Sequence, residues 1–323
     1  MQMTETVHDI PEQALAWHRA GKGAALATVV QTWGSAPRRV GAQLAVSGAG
    51  EMRGSVSGGC VEGAVVTEAL EAIATGRPKM LSFGVSDGDA FAVGLACGGE
   101  IKVLVEPVGH ALPEALLADL VAARASRVPV AYVTGEGVAR RLESTGHAAR
   151  FRLDRSGFEE DGRTFVGIHN PPLRLIIVGA VHIAQALVPM ARIAGFDPVI
   201  VDPRERFAAA ARFPDERIEA EDPEDVLPRI GLDARTAVVL LSHEPRIDDP
   251  ALHLALHSDC FYIGALGAKR THAARVARLE AAGFAPDQIA RVNGPIGLDI
   301  GAATPAEIAV SILSEMVQAL RQV

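Results

Sequence analysis

From Leu173 onward, short and continuous apolar runs alternate with helix-forming segments. The predicted elements are strand 175–178, helix 183–194, strand 199–201, helix 223–230, strand 237–241 and helix 250–257. Strands made only of apolar residues are typical of a parallel sheet covered on both faces, and their alternation with helices is typical of an α/β fold. This part is therefore predicted to form a doubly wound parallel-sheet domain, and Pro189 is expected to kink or shorten its first helix.

The first turn of this domain is compared with G-x-G-x-x-G/A, the Rossmann dinucleotide pattern. Gly179 and Ala184 match it, but Val181 stands where the second glycine lets the backbone approach a pyrophosphate. Asp202 follows the second strand, where a carboxylate can bind a ribose hydroxyl, and Arg204 can instead meet a phosphate. The pattern predicts a bound nucleotide or phosphate more strongly than hydride transfer.

Three later segments are expected at the sheet edge where parallel strands end, which is the ligand-binding edge of such folds. Their candidate residues are His243, Arg246, Asp248, Asp249, Gly264, Gly267, Lys269, Arg270 and Asp299. His243 can donate to a phosphate or move a proton. A surface loop and a solvated helix start explain the acids and the cations almost as well. Asp299 belongs either to the site or to a turn.

The first part of the chain is predicted to form a compact α/β unit. Its expected elements are helix 11–20, strand 24–30, a glycine-rich hairpin, helix 61–75, helix 112–125 and strand 128–134. Asn170-Pro171-Pro172 is the best domain boundary, which gives domains 1–170, including a connecting segment at about 108–170, and 171–323. Near the end, Thr304, Pro305 and Glu307 have the spacing of a capping box that starts a helix.

Gly54-Ser-Val-Ser-Gly-Gly-Cys-Val-Glu62 places a cysteine behind two glycines, where the hairpin ends and a helix is expected to begin. A helix N-terminus carries unpaired N–H groups and partial positive charge, which favour a thiolate at Cys60. Ser57, Gly58 and Gly59 are candidate cofactor contacts beside it. The alternative is that Cys60 is a small buried residue.

Cys97 lies in Gly94-Leu-Ala-Cys-Gly-Gly99, a second thiol against a glycine pair. Two such turns indicate thiols at the mouth of a site, either redox-active or ligand-binding, although coincidence remains an alternative. The chain has three cysteines and no CxxC pair, which disfavours a zinc site made of cysteines.

The composition limits the class of protein. The formal charge of −8 and the 4% aromatic content argue against nucleic acid or an anionic membrane as the main partner. No apolar run approaches the ~20 residues of a membrane span, and the first residues lack a secretory pattern. An odd number of cysteines fits a reducing compartment. A cytoplasmic protein of about two domains is expected.

Several segments resemble one known family when they are taken in order. They are Gly34-Ser-Ala-Pro-Arg38, Gly41-Ala42, Gly54 to Glu62, Cys97-Gly-Gly99, Asp202-Pro-Arg204, Arg212-Phe-Pro214, Ser242-His243, Tyr262-Ile-Gly-Ala-Leu-Gly267 and Pro295-Ile-Gly-Leu-Asp-Ile-Gly-Ala302. The chain resembles the XdhC/CoxI family, which comprises maturation factors and cofactor chaperones of xanthine dehydrogenase and related molybdenum hydroxylases.

The resemblance implies a protein that binds molybdenum cofactor, as molybdopterin or its dinucleotide form. It would help a cysteine desulfurase to replace a molybdenum oxygen with sulfur and deliver the product to an apo-hydroxylase. Cys60, and with it Cys97, would hold the molybdenum or relay sulfur, and Arg38 would neutralise the cofactor's charge. The phosphate end would bind to glycine turns and helix N-termini of the second domain.

Two positions depart from the family pattern: Val181 replaces a glycine, and Ala268 stands where serine is usual. Both weaken a tight phosphate grip, whereas His182 is retained. The alternatives are an NAD(P)-dependent oxidoreductase and a ligand-sensing or scaffold module. A homodimer is expected, because the cysteines and the nucleotide-like turns would then meet across an interface.

Overall fold

The computed structural model describes residues 10–36, 38–84 and 99–322. They form two compact units, and the boundary in the chain lies between Pro171 and Pro172. The fold is mixed α/β, and each unit has its own sheets and core. In the described part of the chain, no helix combines the length and the apolar character that crossing a bilayer requires.

The first unit contains four helices and nine strands among its described residues. They are α1 (Ile10–Arg19), β1 (Ala24–Trp33), β2 (Gln43–Ser47), β3 (Met52–Gly54), α2 (Glu62–Thr75), β4 (Lys79–Phe83), β5 (Glu100–Pro107), α3 (Glu114–Ala125), β6 (Val130–Gly135), β7 (Val138–Glu143), α4 (Ala148–Leu153), β8 (Gly157–Phe158) and β9 (Thr164–His169).

Two antiparallel sheets organise this unit, in the orders β3-β2-β1-β5-β4 and β7-β6-β9-β8. Alternate residues of β1 enter two different cores, because successive side chains of a strand point to opposite faces. Ala25 and Val29 pack with α2, whereas Ala24 and Leu26 pack with α1 and α3. Strand β1 is therefore buried on both faces, although its sheet is antiparallel.

The second unit is built from strands and helices that alternate along the chain. They are β10 (Leu173–Val178), α5 (His182–Ile193), β11 (Phe196–Val201), a 3₁₀ turn (Ala210–Arg212), β12 (Arg217–Glu219), α6 (Pro223–Ile230), β13 (Thr236–Leu240), α7 (Pro245–Leu256), β14 (Tyr262–Ala265), α8 (Lys269–Ala281), α9 (Pro286–Ile289), β15 (Val292–Asn293) and α10 (Pro305–Arg321).

Its sheet has the order β12-β11-β10-β13-β14-β15, and all its strand pairs are parallel. This order is 3-2-1-4-5-6 within the unit, which is the order of a dinucleotide-binding doubly wound fold. Leu175 and Ile177 pack with α5 and α10, whereas Ile176 and Val178 pack with α6 and α7. The prediction of a doubly wound parallel sheet is confirmed.

Two helices of this unit differ from their predicted course at prolines. Helix α5 continues through Pro189 to Ile193, so the proline does not end it. Leu187, Val188 and Ala191 of this helix are buried in the core, and this packing offsets the lost backbone hydrogen bond. Helix α7 begins at Pro245 rather than at residue 250, because proline suits the first helical turn.

The predicted capping box is confirmed. The Glu307 N–H donates to the Thr304 hydroxyl at 3.3 Å, and the Glu307 carboxylate accepts from the Thr304 N–H at 2.9 Å.

Candidate functional site

A tight loop between β3 and α2 presents Cys60 to solvent. Gly58 and Gly59 have φ angles of 76° and 114°. These angles lie in the left-handed region that glycine adopts without steric cost. The two glycines therefore turn the chain so that the thiol is exposed, which differs from the buried-cysteine alternative.

Glu62, the first residue of α2, holds this loop in place from below. Its carboxylate accepts hydrogen bonds from the hydroxyls of Ser55 and Ser57. It also accepts from the backbone N–H groups of Val56 at 3.2 Å, Ser57 at 2.9 Å and Gly59 at 2.8 Å. Five donors converge on one side chain that is only 7% exposed. The conformation of the loop therefore depends on this carboxylate.

The environment of Glu62 keeps it ionised. Burial raises the pKa of the carboxyl, but the hydrogen bonds from Ser55 and Ser57 outweigh burial and lower the pKa to about 2. A carboxylate that accepts several N–H and O–H bonds is stabilised in its charged form.

The same contacts change the expected basis for a thiolate at Cys60. Helix α2 begins at Glu62 with Val61 as its N-cap residue, so Cys60 precedes the helix. The N–H groups of Val56, Ser57 and Gly59 donate to Glu62. These backbone donors are committed to the carboxylate and not to the sulfur.

Other residues predicted here have identified contacts. The Arg38 Nε donates to the Ser55 carbonyl oxygen at 3.3 Å, which places its guanidinium at the start of the loop. Ser57 is buried, and its hydroxyl accepts from the Val61 N–H at 3.0 Å. Ser57 therefore braces the loop internally. Cys97 lies outside the described residues.

Sequence reasoning overlooked Glu62 and Ser55 as parts of this site. The available signal was an acidic residue directly after Gly-Gly-Cys-Val at a predicted helix start, where carboxylates commonly accept backbone N–H bonds.

The first turn of the second unit is tightly packed against the sheet. Gly179 has a φ angle of 109°, and a Cβ there would lie 2.6 Å from the Ser242 backbone nitrogen. The glycine is therefore required by contact within the unit. Val181 is the N-cap residue of α5, in an extended conformation. His182 follows it as the first helical residue and is partly exposed.

Asp202 is completely buried and has four donors. It accepts from the Ala180 N–H at 2.8 Å and from Arg204 through its backbone N–H at 3.0 Å, its Nε at 2.8 Å and its Nη2 at 2.7 Å. Burial raises the pKa of Asp202, but the Arg204 and Ala180 hydrogen bonds lower it below its usual value. Arg204 also donates to Glu244 at 2.7 Å.

These contacts do not fit the predicted ribose and phosphate roles of Asp202 and Arg204. A carboxylate with no exposed surface cannot reach a ribose hydroxyl without losing internal partners, and the guanidinium is engaged by two carboxylates. The pair instead joins the turn at Ala180 to the loop at Glu244. Phe207, whose ring lies 4.1 Å from the Arg204 guanidinium carbon, completes this cluster.

The residues after β13 differ in environment. His243 is exposed and has a left-handed backbone, with φ of 62°. Asp248 is buried and accepts from the Ser242 hydroxyl at 2.6 Å. Burial raises the pKa of Asp248, although Ser242 and Arg275 oppose this. Asp249 pairs with Arg278 at 2.6 Å, and Arg246 is exposed. The two acids thus have structural partners, whereas His243 and Arg246 face solvent.

The glycine turn after β14 divides into packing and surface positions. Gly264 lies buried inside β14, and a Cβ there would lie 2.6 Å from the Tyr262 hydroxyl and from Ile296. Its role is packing. Gly267 forms the turn, with φ of 144°. Lys269 and Arg270 are the first two residues of α8, and both are exposed.

Asp299 is exposed in the loop before α10. That loop is anchored by α10, because the Gly297 N–H donates to Glu315 at 2.8 Å and the Ser311 hydroxyl donates to the Leu298 carbonyl oxygen at 2.6 Å.

The structure thus brings together the turn at Gly179, the Asp202–Arg204 pair and the segment from Ser242 to Glu244. Within the described residues, no group of three or more His, Cys, Asp or Glu side chains is placed to hold a metal ion.

Comparison with known proteins gives two family models that match the chain. The model of the XdhC and CoxI family matches residues 17–84, and that of the XdhC Rossmann domain matches residues 175–316. The first match contains the Cys60 loop, and the second contains the turn at Gly179 and the Asp202–Arg204 pair.

Similar proteins extend over most of the chain. A protein of Escherichia coli named molybdenum cofactor insertion chaperone PaoD is 33% identical over 297 residues, which cover 92% of this chain and 83% of that protein. A Bacillus subtilis protein, named as one of the probable subunits of xanthine dehydrogenase, is 28% identical, covering 93% of this chain and 94% of that protein. The crystal structure of a protein described as a xanthine dehydrogenase from Bacillus halodurans superposes with a TM-score of 0.74 at 26% identity, covering 96% and 95% of the two chains. The chain belongs to the XdhC and CoxI family.

Proposed function

We propose that this protein is a maturation factor for a xanthine dehydrogenase-type molybdenum hydroxylase. It binds molybdenum cofactor as cargo, keeps it accessible to a cysteine desulfurase that replaces a molybdenum oxygen with sulfur, and delivers it to the apo-enzyme. The relative named as an insertion chaperone supports this role, as it is similar over 92% of the chain. The observation that carries the proposal is the exposed thiol of Cys60 on a loop braced by Glu62.

The chemistry of this loop suits a soft metal centre. A thiolate is a preferred ligand for soft metal centres, and an exposed cysteine is accessible to a large cofactor and to a sulfur donor. Arg38, bound to the Ser55 carbonyl oxygen, brings a positive charge to the same loop. Cys60 would anchor the molybdenum or relay sulfur, and Arg38 would offset negative charge on the cargo. Cys97 is proposed as a second thiol on sequence grounds alone.

The second unit is proposed to hold the phosphate end of the pterin or the pyrophosphate of a dinucleotide form. The solvent-accessible residues at its loops and helix starts, His182, His243, Lys269, Arg270 and Asp299, are the candidates for this contact. Asp202 and Arg204 would act indirectly, by fixing the turn at Gly179. The paired Asp202 and the side chain of Val181 speak against an NAD(P)-dependent oxidoreductase.

The test is anaerobic incubation with molybdenum cofactor, gel filtration, and measurement of molybdenum and of oxidised-pterin fluorescence in the protein peak. Wild type is expected to retain both in stoichiometric amounts, and Cys60→Ala to lose most of the molybdenum. Cys260→Ala is the matched control, because this thiol is buried in the second unit and is expected to leave loading unchanged. Absence of pterin from the wild-type peak would contradict cofactor binding, and full loading of Cys60→Ala would contradict the role of the thiol.

The partners are tested by the same preparation. Loaded protein is expected to activate an apo-hydroxylase in the presence of a cysteine desulfurase and a sulfur source, and Cys60→Ala is expected not to do so. We also propose a homodimer, for which sedimentation equilibrium should give twice the chain mass of 33.8 kDa. A single species of chain mass at all concentrations would exclude the dimer.

A further inference from the structure

The first unit has a cleft of about 440 Å³ that is lined by strands of both its sheets. Strands β1, β4 and β5 contribute to one wall, and β6, β7, β8 and β9 contribute to the other. This volume lies within the range of small-molecule sites, about 300 to 1,000 Å³. None of the lining residues belongs to the Cys60 loop, so the cleft is a different site from the one proposed above.

The walls of the cleft combine apolar surface with positive charge. Val30, Met80, Leu104, Phe158 and Phe165 supply the apolar surface. The charged lining residues are the cations Lys79, Lys102, Arg140 and Arg163 and the single acid Glu136. This positive excess contrasts with the net charge of −8 of the chain. A local cluster of this kind attracts anions and not cations.

Two of the cations are held in place by neighbours. The Lys102 Nζ lies 5.3 Å from the centroid of the Trp33 ring, within range of a cation–π contact. The Arg140 Nε donates at 2.6 Å to Glu106, which is only 2% exposed and also accepts from the Tyr132 hydroxyl at 3.0 Å. Glu106 is not among the lining residues, so it lies behind Arg140 and orients the guanidinium that lines the cleft.

The buried carboxylate is costly, because removing a charge from water is repaid only partly by its partner. Burial is the main reason that the pKa of Glu106 is raised. A pair of this kind is poor evidence for stability alone, and it is better explained as a device that fixes Arg140. Lys79 differs from Arg140, because it is paired at 2.6 Å with both Glu68 and Glu71 and contributes little net charge.

We propose that this cleft binds a small organic anion with a flat apolar body. The phosphate or carboxylate group of the ligand lies against Lys102 and Arg140, and its body contacts Leu104, Met80 and Phe158. Arg163 adds to the positive potential at the edge. Binding here requires neither Cys60 nor the maturation function.

The test uses 1-naphthyl phosphate as the probe, measured by isothermal titration calorimetry on the full-length protein. Inorganic phosphate lacks the apolar body, and 1-naphthol lacks the charge, so both are expected to bind at least about tenfold more weakly. Equal affinity for inorganic phosphate would overturn the apolar contact, and equal affinity for 1-naphthol would overturn the anion contact.

Lys102→Gln is expected to weaken the probe by about tenfold, since a charge-assisted contact is lost. Arg163→Gln, at an exposed position, is a second variant that keeps the fold and is expected to weaken it several-fold. Lys22→Gln removes an exposed lysine of the same unit outside the cleft and should leave affinity unchanged. No probe binding at millimolar concentration, or wild-type affinity in Lys102→Gln, would overturn the proposal. Cys60→Ala should bind the probe normally, which separates this result from the test of cofactor loading.

Discussion

At the scale of single residues, Glu62 determines the shape of the loop that presents Cys60. Its side chain accepts five hydrogen bonds, two from serine hydroxyls and three from backbone N–H groups of the loop. A carboxylate can serve this many donors because it offers about four acceptor sites and no donor. An amide of the same shape cannot, since its NH₂ group would face N–H and O–H groups.

Glu62→Gln is therefore expected to destabilise the first unit by about 1 to 3 kcal/mol and to expose residues 55–61 to proteolysis. The measurements are urea unfolding and limited digestion read by mass spectrometry. Glu71→Gln is the matched control on the same helix, where the side chain is 62% exposed, and it should change stability by less than about 0.5 kcal/mol. Equal stability and equal digestion of both variants would contradict the role of Glu62.

The acid stability of the protein should carry the signature of the same residue. The pKa of Glu62 falls from 4.5 to about 2 on folding. The unfolded chain therefore binds the proton more tightly, so the stabilisation is complete above pH 4.5 and is lost as the pH falls toward 2. A shift of this size corresponds to at most about 3 kcal/mol, which screening by nearby solvent reduces. Unfolding followed between pH 6 and 2 should show a steeper loss in wild type than in Glu62→Gln, and parallel curves would contradict the assignment.

At the scale of elements, the turn between β10 and α5 resembles a phosphate-binding turn but is shaped by internal packing. Gly179 is needed because of its positive φ and because the Ser242 backbone occupies the space of a side chain. The carboxylate of Asp202 takes the Ala180 N–H. The element is therefore held by its own neighbours, whether or not a ligand is bound.

Gly179→Ala is expected to destabilise the second unit by more than about 2 kcal/mol, since it combines a strained φ with a backbone clash. Gly283→Ala is the control: its φ is also positive, at 89°, but nothing lies within 4 Å of a Cβ there. The control should cost about 1 kcal/mol. Thermal unfolding of the two variants separates the clash from the strain, and equal losses would show that the contact with Ser242 contributes nothing.

At the scale of the whole molecule, a dinucleotide-binding strand order coexists with a nucleotide edge that is already paired internally. The parallel order and the glycine turn meet the requirements of the fold. The acidic residue that would bind a ribose is completely buried and paired with Arg204. Fold and ligand are therefore separate conclusions in this protein.

Nicotinamide cofactors are accordingly expected not to bind. Titration with NADH or NADPH, followed by nucleotide fluorescence, should show no saturable signal up to millimolar concentration. A lactate-type dehydrogenase serves as the positive control for the assay. Saturation in the micromolar range would show that Asp202 exchanges Arg204 for a ribose, and it would restore the oxidoreductase interpretation.

Much of the fold was predictable from local signals. The apolar runs at Leu175 to Val178 and Ala237 to Leu241 identified buried parallel strands, because a strand covered on both faces needs no polar side. Thr304, Pro305 and Glu307 located the start of α10, because a capping box acts within one turn. Pro189 misled the prediction, because its local cost is offset by packing of α5 against residues far away in the chain.

The Cys60 loop was predictable in part. Its glycines and its position before a helix follow from the sequence, as do the exposed cations at the start of α8. The five-donor contact of Glu62 does not follow, because hydrogen bonds of a turn depend on the path of the backbone. The pairing of Asp202 with Arg204 was equally inaccessible, because neighbours in sequence point together only when the local backbone brings them so.

The sequence by itself determined the α/β class, the parallel sheet of the second unit and the family, since these rest on periodicity and on motifs that are local in the chain. Only the tertiary structure decided which polar groups are available to a ligand. It committed Glu62 and Asp202 to internal hydrogen bonds, left Cys60 exposed, and brought Lys102 and Arg140 from different sheets to one cleft. The physical reason is that burial and pairing depend on contacts between residues distant in the chain, which no local pattern records.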